Sequence, residues 1–260
     1  MGIASLFFLI WCGIWLPFAI PLAARLKWKP FMTSTPRQKI PLLLALYITA
    51  PIALLSIEAI AGKPTIYGLD RPSALASAGL GFLVGLAGLI ALFGLQLLWG
   101  WLRVESAPVG AQSVIKTILF SGSLAVGVGL VEEAIFRSFL IAQLAETFPF
   151  YLAAGLSSLV FASLHLVWDW QNTRFQLVGL WAMGMVLAWA YRLDGFSLAL
   201  PWGLHAGWIL GIAVVELRGK LLPTGQVSTW ITGQADQPLA GLSALSFLAG
   251  TAGLLWLMLP

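Results

Sequence analysis

Apolar runs long enough to cross the hydrocarbon core of a bilayer as a helix follow one another along the whole chain. They cover roughly 3–24, 40–61, 76–100, 113–147, 149–168, 175–192, 196–216 and 239–259. Of the 260 residues, 60% are hydrophobic and 9% charged, against about 25% charged in soluble domains. These runs predict an all-α fold: a polytopic membrane helix bundle of about eight transmembrane helices, one membrane domain with no separate soluble part. Residues 1–24 lack the basic start of a signal peptide and run too long for one, so they read as a retained span.

The charges sit mostly between the runs. Arg25, Lys27, Lys29, Arg37, Lys39, Arg103, Lys116, Arg174, Arg218 and Lys220 fall in the odd-numbered loops or at their edges, whereas Lys63, Arg71 and Arg192 fall in the even ones. By the positive-inside rule the first loop is cytoplasmic and both termini are outside. A net charge of +4 distributed at span ends does not point to nucleic acid. The one cysteine, Cys12, lies inside the first run, so the chain has no intrachain disulfide and no cysteine-based metal site. The loop at 217–238 repeats Thr-Gly-Gln at 224–226 and 232–234, too short a unit to be a structural repeat.

One stretch breaks the apolar pattern. Gly129-Leu-Val-Glu-Glu-Ala-Ile-Phe-Arg137 puts two adjacent carboxylates and a guanidinium inside a span. A single such charge costs roughly 2.5–3.5 kcal/mol at mid-helix on translocon-type scales, so ionisable groups there call for a functional reason. Glu133 and Arg137 are spaced i, i+4 with the acid first, the favourable order for an ion pair. Glu132 is turned about 100° away on the helix and cannot share that pairing equally. One carboxylate is neutralised and the other is left as a candidate general base. Read structurally, the same three groups would only lock helices together.

Both histidines of the chain also lie in spans. His165 follows Phe161 by four residues, and His205 lies in Pro201-Trp-Gly-Leu-His-Ala-Gly-Trp208. A lone histidine at a helix end is usually a satisfied interface residue. Two imidazoles and a spare glutamate together are harder to dismiss: a carboxylate and an imidazole can polarise a water while a second imidazole donates to a developing oxyanion. Convergence poses a geometric problem. Counted from Lys116, Glu132 lies about 24 Å along its helix, whereas His165 ends a span running the other way. A break at the glycines 122, 127 and 129, with a new helix starting near Gly129, would remove the conflict.

The pattern Glu132-Glu133-x-x-x-Arg137, Phe161-x-x-x-His165 and an intramembrane His205 resembles the CPBP family, which includes the CAAX prenyl endoproteases of the Ras-converting type and the bacterial Abi or bacteriocin-processing proteins. The resemblance covers about 129–209. It implies an intramembrane endopeptidase acting on a membrane-associated peptide or protein substrate, in an integral membrane protein of the bacterial cell membrane. Glu132 would activate the hydrolytic water with help from His165, Glu133 and Arg137 would support, as would Phe161, and His205 would stabilise the oxyanion. On this basis 113–217 are the catalytic-core helices, 1–112 are N-terminal helices without a motif, and 218–260 are a loop and a last helix. The implied mechanism uses a glutamate and no metal or other cofactor, although one glutamate and two histidines also suffice for a zinc site with an open position.

The chain departs from the family where His-x-x-x-Asn is usual, because it has Ile209 there. Its only asparagine is Asn172, read as a loop residue. Loss of one oxyanion donor costs about 3–4 kcal/mol elsewhere, so either another donor, Ser163 or a backbone N–H, substitutes or activity is weak or absent. Two other readings compete. Ile209 favours a non-catalytic immunity or scaffold protein that retains the pocket. A proton-coupled transporter would use the same groups as a relay, but it calls for inverted repeats that the hydropathy does not show.

Overall fold

In a computed structural model that describes residues 2–62, 65, 67–106, 110–217, 219–234 and 237–259, the chain is an all-α membrane bundle. Lys63 and Arg218, counted above in the loops, lie outside these residues. Eleven helices are described: α1 (Ile3–Leu26), α2 (Pro36–Ala61), α3 (Ala74–Leu98), α4 (Ala111–Glu133), α5 (Ile141–Ala145), α6 (Phe150–His165), α7 (Trp170–Thr173), α8 (Leu177–Leu193), α9 (Ala199–Leu217), α10 (Thr229–Thr232) and α11 (Leu242–Met258). A π-helical segment, Ala134–Leu140, joins α4 to α5. Apart from the one-turn α7 and α10, these elements correspond to the eight apolar runs. Among the described residues, five are long and apolar enough to cross a membrane by themselves: α1, α2, α3, the joined Gln112–Ala145 and α9. The 16-residue α6 and the 17-residue α11 are shorter apolar helices, at 1.5 Å per residue close to 25 Å long.

No break occurs at the glycines. Helical structure runs from Ala111 to Ala145 without interruption, and its only irregularity is the π-helical segment that begins after Glu133. A side chain at Gly122 or Gly127 would meet open space, so neither residue marks a close approach or a turn. In hydrocarbon an opened backbone leaves unsatisfied N–H and C=O groups at several kcal/mol each, which favours an intact helix over a glycine hinge. Convergence arises differently. A tight turn at 146–149, in which the N–H groups of Thr147 and Phe148 both donate to the Leu144 carbonyl, sends α6 back beside the helix it follows. Glu132 lies thirteen residues before Ala145 and His165 fifteen after Phe150, so both stand about 20 Å from the turn. The count from Lys116 misplaced them because this helix is too long for one straight crossing.

The helix that carries His205 is fixed by glycines. On α3 and α9, Gly81 and Gly85 face Gly203 and Gly207 across the contact. A Cβ added at Gly203 would collide with the Ala78 carbonyl oxygen, and one at Gly207 would lie 2.5 Å from that of Phe82. Small residues four apart let two membrane helices approach to backbone contact. The start of α9 is tied down from the preceding loops: Leu198 N–H donates to the Tyr67 carbonyl (2.9 Å), Ser197 Oγ to that of Gly68 (3.1 Å), and Asp194 Oδ2 accepts from Leu200 N–H (3.2 Å).

At the other end of the bundle from that anchor, the loop after α1 packs on the turn after α6. Phe31 N–H donates to the Val167 carbonyl (2.8 Å) and Ser34 Oγ to that of Trp168 (3.2 Å), which puts the first and fifth loops at one end, as the charge count required. Part of 217–238 is ordered as a strand. Gly219–Pro223 (β2) pairs antiparallel with Leu102–Ser106 (β1), with Val104 opposite Leu221. The two Thr-Gly-Gln copies do unlike things: the Thr224 hydroxyl donates to the Gly100 carbonyl (2.6 Å), whereas Thr232 is buried at the end of α10.

Candidate active site

Glu132 and Glu133 close α4, and their carboxylates leave the helix in different directions. Glu133 is fully buried, and its Oε2 meets Arg137 Nε at 3.1 Å, the pair that the i, i+4 spacing predicted. Arg137 lies in the π-helical segment, every residue of which is buried. Its Nη2 donates a long bond to the Gly184 carbonyl on α8 (3.4 Å), and its guanidinium carbon stands 4.8 Å from the Phe161 ring centroid. Single π-turns inside α-helices are frequent at functional sites. Nothing in the composition of Ala134–Leu140 announces this one.

His205 bridges the two acids. Its Nδ1 is 2.8 Å from Glu133 Oε1, and its Nε2 is 3.5 Å from Glu132 Oε2. Glu133, already bound by Arg137, accepts from Nδ1–H. Glu132 is not the unpartnered acid that the spacing argument left over. Its Oε1 accepts a hydrogen bond from the hydroxyl of Tyr47, on α2. Sequence reasoning passed over Tyr47 because a tyrosine in an apolar span is ordinary; the one available signal was a buried-type hydroxyl needing a partner. The result is an unbroken series, Tyr47–Glu132–His205–Glu133–Arg137, drawn from α2, α4, α9 and the π-helical segment.

His165 ends α6. Its Nδ1 lies 2.8 Å from the Phe161 carbonyl oxygen. A carbonyl only accepts, so Nδ1 carries the proton, and Nε2 is the acceptor of the neutral ring. Phe161 itself is fully buried and packs edge-on against both imidazoles, with centroids 4.7 Å from His165 and 6.2 Å from His205. One ring thus spaces the two histidines and lies under the arginine.

Glu132, His165, Phe161 and Tyr47 line a common cavity of about 160 Å³, together with the polar Lys39 and Thr173. His205 is not among the described residues that line it. The cavity therefore gathers Glu132 and His165, while His205 lies behind the glutamates. Ser163, expected as a substitute donor, is exposed and does not line the cavity. Ile209, half-buried, follows His205 by one turn of α9. Asn172 sits in the one-turn α7, not in a loop, where its amide donates to Asp169 Oδ2 and its oxygen accepts from Gln237 (both 2.9 Å). Among the described residues no three His, Cys, Asp or Glu side chains are grouped as metal ligands. His165 Nδ1 is committed to a carbonyl, and His205 directs a nitrogen at each glutamate.

Residues 113–210, somewhat less than half of the chain, match the family described as type II CAAX prenyl endopeptidase Rce1-like. That segment is similar to the CAAX proteases. It contains Glu132, Glu133, Arg137, Phe161, His165, His205 and Ile209 in one continuous stretch, and it leaves out α2 with Tyr47 and Lys39. At family level the match is to CAAX-type intramembrane proteases, in keeping with the apolar helices around the site. No curated protein matches the chain.

Proposed function

We propose that this CAAX-protease-family protein is an intramembrane endopeptidase in which Glu132 activates the hydrolytic water and His165 helps to hold it. The observation that carries the reading is the shared cavity: a carboxylate from α4 and an imidazole from α6 line one small space inside an apolar bundle. A water there would donate one hydrogen to Glu132 and the other to His165 Nε2. Glu132 takes the proton as the oxygen attacks the scissile carbonyl. The tetrahedral adduct collapses with cleavage of the C–N bond, and Glu132 returns the proton to the departing amine. Water is consumed, and a carboxylate and an ammonium group are formed, the second proton of the water also passing to the amine. Low-dielectric surroundings strengthen each electrostatic contact in such a site.

His205 enters this reading mainly as a positioning residue. With each ring nitrogen directed at a glutamate, it is placed to orient Glu132, and donating to an oxyanion from Nε2 would require that nitrogen to turn from Glu132. Lys39 and Thr173 offer donors at the cavity wall. The mechanism routes no step through a metal. The substrate is proposed to be a membrane-associated peptide or protein reaching the cavity from the end carrying the first loop, and the setting a bacterial cell membrane. Ile209, in place of a further polar group one turn past His205, favours the competing reading of a non-catalytic partner protein.

The test is cleavage of a farnesylated CAAX peptide by the purified chain and by E132A, H165A and the double variant. Groups acting as one unit are strongly non-additive. Each single variant is expected to lose at least about a hundredfold, with the double no worse than the weaker single. Parental rates in both single variants would overturn the mechanism.

A further inference from the structure

The site is not complete within the segment that matches the family. Tyr47 comes from α2, on a face that also presents Lys39, Leu43 and Leu46 to the cavity. That face is held in place from α1: the indole N–H of Trp11 donates to the Leu46 carbonyl (3.1 Å) and that of Trp15 to the Leu42 carbonyl (3.4 Å). Trp11 is buried and lines the same cavity. So α1 and α2 form a wall whose hydroxyl reaches the carboxylate across from it.

The two oxygens of Glu132 face different helices: Oε1 accepts from Tyr47 on α2, and Oε2 lies 3.5 Å from His205 Nε2 on α9. A carboxylate that takes a proton from water and returns it to an amine must keep one orientation through both steps, and misplacement by an ångström is costly. Left to His205 alone, at 3.5 Å, the group could still turn about its Cγ–Cδ bond. The Tyr47 hydroxyl removes that freedom. The charged and titratable groups around it are Glu132 on α4, His205 on α9, His165 on α6 and Lys39 on α2, with Glu133 and Arg137 reached through His205.

We infer that Tyr47 is a positioning residue for hydrolysis, its hydroxyl fixing the carboxylate of Glu132, so that the working site is assembled from α2 as well as from 113–210. The inference rests on the proposed role of Glu132 and extends it to a helix outside the matched segment. A hydrogen bond to a charged group contributes enough that its loss alters an equilibrium or rate by about ten- to a hundredfold.

The experiment uses the full chain in liposomes and the variants Y47F, Y47L and E132Q. With a farnesylated CAAX peptide as probe, Y47F is expected to lower kcat about tenfold or more while KM changes little, and to move the acid limb of the pH–rate profile to higher pH. The second readout needs no substrate: dicyclohexylcarbodiimide, which attacks protonated intramembrane carboxyls, should label Glu132 several-fold faster in Y47F than in the parent, as read by peptide mass spectrometry. Y47L, which removes the ring as well, should label Glu132 at least as fast as Y47F. Parental kcat, pH profile and Glu132 labelling in Y47F would overturn the inference. If instead E132Q cleaves at the parental rate, or the parent does not cut the probe, the proposed function fails, and labelling alone decides whether Tyr47 holds Glu132.

Discussion

Replacing Arg137 with methionine isolates the cost of the buried charge cluster. Arg137 is 1% exposed and Glu133 is fully buried, so R137M leaves a carboxylate in a dry interior with its main counter-charge gone. Removing one partner of a buried pair typically costs 3–5 kcal/mol, because the remaining charge is stranded. Glu133 keeps the bond from His205 Nδ1 at 2.8 Å, which argues for the lower end, about 3 kcal/mol. For a chain of this size each kcal/mol moves the midpoint by about 2–4 °C, so R137M should unfold roughly 6–12 °C below the parent. The assay is thermal unfolding in detergent, followed by the intrinsic fluorescence of the 13 tryptophans. E133Q should cost a similar amount by stranding the guanidinium, which would keep only its long bond to Gly184 and its contact with Phe161. The double variant R137M/E133Q should recover more than half of either loss, since a neutral pair strands nothing. A double variant whose loss equals the sum of the two singles, or an R137M midpoint within 2 °C of the parent by order-of-magnitude reckoning, would refute the reasoning.

Three further outcomes follow from other parts of the molecule. G203A drives a methyl group into the Ala78 carbonyl and should lower both the unfolding midpoint and cleavage. G122A, facing open space, should be neutral or stabilising by roughly 0.5–1 kcal/mol, and equal effects at the two positions would contradict the packing account. Burial and the hydrogen bond that its hydroxyl donates to Glu58 (2.9 Å) push the Tyr67 phenol from 10.0 up to about 12. The folded state thus holds the proton more tightly, and this contribution is complete below pH 10 and is lost as the pH rises through 12. The parent's unfolding midpoint should fall more steeply than that of Y67F across this window, and equal slopes would exclude the contribution. Cleavage should survive 1,10-phenanthroline within about twofold, because the proposed mechanism routes no step through a metal; progressive inactivation reversed by zinc would contradict that.

Much of the bundle could be read from hydropathy, because run length and polarity decide whether a helix crosses a membrane, whatever its neighbours. The Glu133–Arg137 pair could be read for a similar reason, since an i, i+4 spacing within one helix determines which groups meet. Contacts between helices were less accessible. That His205 bridges both acids depends on how far α9 slides along α3, and this is set by the glycines at 81, 85, 203 and 207, not by anything near the histidine. Tyr47 escaped notice because its partner is 85 residues away. The expected hinge at Gly129 failed because glycine permits a break without requiring one. The convergence it was meant to explain follows from the turn at 146–149. The pairing of β1 with β2 was hidden because the alternation of Leu102–Ser106 has no counterpart in its distant partner, Gly219–Pro223.

Glu132 is proposed to perform the proton transfers of peptide hydrolysis. This role is tested most directly by single-turnover cleavage of a farnesylated CAAX peptide by the parent and by E132Q in liposomes. E132Q keeps the side-chain shape and an acceptor for Tyr47 but cannot take a proton. A rate at least about a hundredfold below the parent's, with peptide binding retained, is the expected result. An E132Q rate within threefold of the parent's, judged against that scale, would contradict it.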